Sequence, residues 1–128
     1  MPFSFVKPTG LHPTAGYSHA VSLSGRLLIV SGQVALDDKR NVVGPGDIEA
    51  QAVQVFENLK KVLALGGAAL KDVVRLGIIL TDRANLEKYR SVRARYFSEP
   101  YPTATLIVAG LVSPEFLLEV EAIAALPG

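Results

Sequence analysis

The sequence predicts an α+β fold: one mixed β-sheet with two helices packed on one of its faces. Three observations lead there. The apolar pattern runs β-β-β-α-β-α-β-β along 128 residues, a length inside the single-domain range. Its period switches twice, from two to near 3.6 and back. Two helices cover only one side of such a sheet, and the strands that would form its other side carry an even mixture of charge and apolar bulk.

"FSFV" (3–6) is the first short strand. "KPTGLHPTAGY" follows, rich in proline and glycine, and reads as an irregular loop. "SHAVSL" and "RLLIVSGQ" are two apolar-rich runs joined at Ser24–Gly25, which predicts a hairpin with glycine at the turn. "DDKRN" and "GPG" mark a second loop. From Asp47 to about Leu65, Ile48, Ala52, Val55, Phe56, Leu59, Val62 and Leu63 recur at three- and four-residue steps, the apolar stripe of a helix. Asp47 is its N-cap and Gly66–Gly67 its stop.

"DVVRLGIILTD" (72–82) reads as a strand. Val74, Leu76, Ile78 and Leu80 share one face, and Val73, Arg75, Gly77, Ile79 and Thr81 the other. A second helix runs from about Asn85 to Phe97, with Leu86, Tyr89, Val92 and Tyr96 as its stripe and Arg90, Arg93 and Arg95 on its polar side. "SEPYP" ends it. "TATLIVAGL" (103–111) is a strand, "VSP" a turn, and 115–125 the last strand. The face away from the helices then holds Arg75, Ile79, Leu117, Glu119, Glu121 and Ile123, a combination suited to a subunit interface with polar clefts. A solvated face with stray apolar residues is the alternative.

Composition narrows the chemistry. Thirteen basic and twelve acidic side chains give a net charge of +1, which offers no electrostatic case for nucleic acid or an anionic membrane. There is no cysteine, so disulfides, a thiolate nucleophile and cysteine metal sites are excluded. His12 and His19 have no acidic cluster beside them in sequence, so no metal is expected. "MPFSFVKPTG" does not read as a signal peptide and no run reaches transmembrane length, so a cytoplasmic protein is expected. No phosphate-binding glycine loop, GxSxG or HExxH motif is present, and Ser31 has no histidine placed to activate it.

Glu119 and Glu121 lie two apart, on one side of an extended strand. Desolvated together, their repulsion would raise one pKa and make an acid/base carboxyl. The spacing fits equally two solvated carboxylates, or a salt bridge to Arg75.

"GYSHAVSLSGRLLIVSGQVAL", "DVVRLGIILTD", "YRSVRARYF" and "YPTAT…LLEVEAIA" together resemble the RidA/YjgF (Rid) family, over roughly 16–125, with "VSGQ" (30–33) and "EVEAIA" (119–124) the most specific pieces. The resemblance implies a single domain over 1–128 with a chorismate-mutase-like fold. It implies homotrimers with sheets inward, helices outside and three pockets between subunits. It implies cofactor-independent hydrolysis of reactive enamines and imines to keto compounds and ammonia. Carried over, the water-positioning glutamate falls on Glu119 and the pocket tyrosine and serine on Tyr17 and Ser31. The arginine that binds the substrate carboxylate falls on Ala104, flanked by Thr103 and Thr105.

An alanine cannot hold an anion by charge, so the resemblance implies an altered substrate. Thr105 or backbone groups would then bind it. Arg90 is the candidate for a relocated cation, a surface role being its alternative. Some relatives are described as ribonucleases, which the near-neutral charge does not favour. Two functions stay open: an enamine/imine deaminase-like hydrolase, or a non-catalytic trimer that binds a small ligand or a protein partner.

Overall fold

The computed structural model describes residues 3–127. Its elements are β1 (Phe3–Phe5), β2 (Val21–Leu23), β3 (Leu27–Gln33), α1 (Ile48–Leu65), β4 (Val73–Leu80), α2 (Leu86–Arg93), β5 (Thr103–Val108) and β6 (Leu118–Ala125). Single turns of 3₁₀ helix precede β4 (Leu70–Asp72) and α2 (Arg83–Asn85). The main sheet has the order β3-β6-β4-β5. Only β4 and β5 run parallel, and α2 makes the crossover between them.

The expected β2–β3 hairpin does not form. β2 pairs with β1 in a separate two-stranded ribbon, and β3 pairs with β6. Gly25, at φ +94°, does turn the chain, but Arg26 lies beyond it and the two strands leave in different sheets. The ribbon then covers a corner of the face opposite the helices: Phe3 packs on Val74 and Ala125 in a small second core.

α1 is specified at both ends. The Asp47 carboxylate accepts the Ala50 N–H at 3.1 Å, and Asp47 itself is extended, as an N-cap should be. At the other end the Gly67 N–H donates to the Ala64 carbonyl and the Ala68 N–H to the Leu63 carbonyl. Gly67 has φ +88°, so this is the glycine-dependent Schellman stop. Ile48, Ala52, Val55, Phe56, Leu59 and Leu63 are buried against the sheet, and Val62 only partly so. Gln51 is buried as well. Its amide donates to the carbonyls of Gly44 and Glu115, and its oxygen accepts the Leu117 N–H. The side chain thus ties the loop before α1 to the entry into β6, with its polar atoms satisfied.

Phe56 anchors the helix–helix contact, with ring centroids 5.1 Å from Tyr96 and 5.8 Å from Phe97. α2 stops at Arg93, before the expected Phe97, and Tyr96 and Phe97 reach the core from the turn beyond it. β5 likewise ends at Val108 rather than Leu111, and β6 begins at Leu118.

The alternation in β4 is interrupted. The β4–β6 register shifts between Val73 and Arg75, so Val74 is an extra residue there. Val73 therefore joins Leu76, Ile78 and Leu80 in the helix-side core, and Val74 turns to the other face, the reverse of the expected assignment for these two. Leu117 also differs: it lies outside β6 and packs against the helix-side core.

Candidate functional site

In a sheet, residues paired across strands share a face. Three rows on the side away from the helices follow from the register. Thr103, Arg75 and Ile123 form the first, Thr105, Gly77 and Glu121 the second, and Ile107, Ile79 and Glu119 the third. Gly77 leaves the centre of this grid without a side chain. A depression of about 130 Å³ results, lined by Arg75, Gly77, Thr105, Ile107, Glu119 and Glu121 among others.

Two glycines make room for the two carboxylates. A Cβ on Gly77 would come within 2.6 Å of Glu121 Oε1 and 2.8 Å of Arg75 Nη1. The Arg75–Glu121 ion pair, at 3.4 Å, therefore lies across this bare backbone. A Cβ on Gly32 would collide with the Glu119 carboxylate and its Cγ. The β3–β6 register slips between Val30 and Gln33, so Ser31 and Gly32 form a bulge, and Glu119 is laid over it. Strand glycines mark such close approaches; the sequence displayed this signal in "VSGQ" and "RLGII".

The two acids are not equivalent. Glu121 is exposed, with 60% of its side-chain surface open, and is neutralised by Arg75. Glu119 is half-buried and belongs to none of the ion pairs formed among the described residues. It is the carboxylate free to hold a water or a ligand proton.

The other candidate residues are distributed as follows. Ser31 is exposed on the bulge, its carbonyl accepting from Gln33 Nε2 at 3.1 Å. Thr105 lines the depression with Glu119. Ala104 pairs with Leu76 and packs toward the helix-side core, on the opposite face of β5. Arg90 donates to Glu87 at 2.9 Å on α2 and is exposed. Tyr17 lies elsewhere: with Gly16, Glu99, Pro100 and Tyr101 it lines a second hollow, near the start of β5. Its loop is fastened to that strand by the Ser18 N–H, which donates to the Pro102 carbonyl at 3.0 Å. One chain thus gathers Thr105 and Glu119 into one depression, and Tyr17 lines another.

Residues close to the site that sequence reasoning did not single out are Gly32, Gly77 and His12. The imidazole of His12 lies 3.1 Å from the Tyr17 hydroxyl. Among the described residues no group of three or more His, Cys, Asp or Glu side chains is placed to hold a metal ion. No helix among the described residues is long and apolar enough to cross a membrane.

Comparison with known proteins agrees with this architecture. The family described as Endoribonuclease L-PSP matches residues 8–126. A crystal structure of a Rid-family protein of unknown function, YyfB from Yersinia pestis, superposes with a TM-score of 0.87 at 38% identity, covering 98% of this chain and all of that one. RidA from an Antarctic Psychrobacter superposes at 0.74 with 29% identity, over 90% of this chain and 92% of that one. The 3-aminoacrylate deaminase RutC of Acinetobacter baylyi is 34% identical over 97% of this chain and 98% of its own. A RutC family protein of Pyrococcus horikoshii is 35% identical over 88% of each. With the family match spanning almost the whole chain and the same mixed sheet and helix pair in its relatives, the chain belongs to the RidA/YjgF family.

Proposed function

We propose that the chain hydrolyses a reactive enamine or imine, without a cofactor, in clefts between the subunits of a homotrimer. The observation that carries this is Glu119: a half-buried carboxylate without an ion-pair partner among the described residues, bedded on Gly32 at the rim of a depression. The relative named as a 3-aminoacrylate deaminase, 34% identical, supports the same chemistry.

The reaction asks little of the protein. An enamine that takes a proton from solvent on carbon becomes an iminium ion. Water adds to the C=N carbon while Glu119 accepts a proton from that water. The carbinolamine then takes a proton on nitrogen, expels ammonia and returns its hydroxyl proton to solvent, leaving a carbonyl. Water supplies the oxygen, and Glu119 passes on the proton it received. Ser31, on the bulge beside Glu119, and Thr105, in the depression, provide hydroxyls for the polar ends of the substrate. Tyr17 reaches the cleft from a neighbouring subunit.

The substrate differs from that of relatives with an arginine at the position of Ala104. Removing one member of a charge-assisted pair costs about 2–5 kcal/mol, so a compound recognised chiefly through its carboxylate is a poor substrate. In this reading Arg90 has a surface role, consistent with its exposed pairing with Glu87 on α2 at 2.9 Å. RNA hydrolysis is not favoured: Arg75, Arg90 and Arg95 are each paired with a glutamate, and the net charge is only +1.

The test is ammonia release from freshly generated 2-aminoacrylate, 3-aminoacrylate and larger, uncharged enamines, by wild type and Glu119→Ala. Release from the uncharged compounds that is lost in Glu119→Ala is expected. No release above background on any of them would instead favour a trimeric ligand-binding protein. Release unchanged by Glu119→Ala would remove the role given to that carboxylate.

A further inference from the structure

The loop that carries Tyr17 holds both histidines of the chain. His12 Nε2 is 3.1 Å from the Tyr17 hydroxyl, and His19 Nε2 is 2.9 Å from the His12 carbonyl. The two imidazoles pack edge to face, with centroids 4.7 Å apart, and the Tyr17 ring lies 6.2 Å from that of His19. We propose that His12 is a positioning residue for Tyr17, and that its protonation reverses the hydrogen bond between them and so sets whether the tyrosine can donate to a substrate.

The argument is one of donors and acceptors. A carbonyl only accepts, so His19 Nε2 must carry a hydrogen to bond the His12 carbonyl. It does so in the protonated imidazolium and in one neutral tautomer, and that contact survives titration. Neutral His12 is assigned the tautomer with its hydrogen on Nδ1, and with it the His12–Tyr17 contact does not keep its sense. A neutral His12 with an unprotonated Nε2 can only accept, so Tyr17 donates its single hydrogen to the imidazole and has none for a ligand. A protonated His12 donates from Nε2 to the tyrosine oxygen, and the Tyr17 hydrogen is released.

The charged and titratable groups around the pair are few. Tyr17 and His19 come from the same loop. From α2, the Arg93 guanidinium packs where a side chain on Gly16 would sit, and from the segment before β5 Glu99 and Tyr101 line the hollow with Tyr17. Gly16 itself has φ +78°, which fixes the turn that presents Tyr17.

This inference rests on the reading above, in which Tyr17 faces the substrate. Two measurements keep the two apart. The first needs no substrate: the ring resonances of Tyr17 and the Cε1–H of His12 are followed by NMR from pH 5 to pH 9. Tyr17 is expected to shift in step with His12, and to lose that step in His12→Gln while keeping it in His19→Gln. A Tyr17 signal that does not follow His12 would overturn the proposal, whatever the activity. The second is the pH profile of kcat/KM on whichever enamine is turned over. Wild type is expected to gain activity toward acid in a step that His12→Gln removes, with a difference of about three- to tenfold, the worth of one hydrogen bond. In a Tyr17→Phe background His12→Gln should then have no further effect. A step that persists in His12→Gln would overturn the proposal. If wild type releases no ammonia at all, the function fails while the NMR titration still decides the His12–Tyr17 coupling.

Discussion

At the scale of the residue, the pair Glu119 and Glu121 divides into two roles because different neighbours reach them. Glu121 meets Arg75 across Gly77, and Glu119 lies alone across Gly32. Replacing Glu119 by Gln should lower the turnover of a responsive enamine by about 10²–10⁴, the usual contribution of a positioned acid–base group, with little change in thermal midpoint. Gly32→Ala should do similar damage from a residue with no reactive atom, since its methyl group occupies the bed of the carboxylate; steady-state kinetics beside an unchanged circular dichroism spectrum would show it. Tyr89 gives a pH-dependent prediction. It is fully buried, and its hydroxyl has no hydrogen-bond partner among the described residues. Burial pushes its ionisation above the ordinary value of 10.0. The folded state therefore favours neutral tyrosine, and stability is full below pH 10 and declines as the unfolded chain ionises above it. Urea titrations should show wild type losing midpoint between pH 9 and pH 11 more steeply than Tyr89→Phe, while at pH 7 Tyr89→Phe is no less stable. The alternation of the last strand displayed the two glutamates in the sequence. It did not display which would be free, because that depends on Arg75, 46 residues away.

At the scale of the element, α1 was legible to the residue because its signals are local: a carboxylate N-cap, a 3.6-residue stripe and a glycine pair at the stop. Asp47→Ala should cost about 1 kcal/mol of unfolding free energy, measured by chemical denaturation. The expected β2–β3 hairpin is absent because a Ser-Gly turn specifies a reversal of the chain, not the identity of the strand that receives it. Phe3, which buries against Val74 and Ala125, draws β2 into a ribbon with β1. The exchange of Val73 and Val74 has a similar origin. A bulge offsets the residues on its two sides by one place, and two adjacent valines give the pattern no mark of where it occurs. Gln51 was hidden within the apolar stripe, three residues after Ile48, and its role depends on carbonyls from two distant loops.

At the scale of the whole molecule, the face opposite the helices remains partly apolar and open in one chain. Ile29 is 74% exposed and Ile107 51%. The proposed trimer buries this face, so light scattering at micromolar concentration should give three times the monomer mass, and Ile29→Glu should shift it toward the monomer. The sequence carried the mixed character of this face. The resemblance implied pockets between subunits, but not which residues one chain would hold together: Tyr17 and Glu119 line separate hollows of one chain, and only a neighbouring subunit brings them together in the function proposed. Mixed trimers test that claim most directly. Tyr17→Ala and Glu119→Gln chains, each expected to be inactive alone, would be unfolded together in equal amounts, refolded and assayed for ammonia release. A site shared between subunits predicts recovery of about one quarter of wild-type activity, the fraction of clefts in which chance assembly pairs an intact tyrosine with an intact glutamate. No recovery from a mixture that has reassembled as trimers would contradict it.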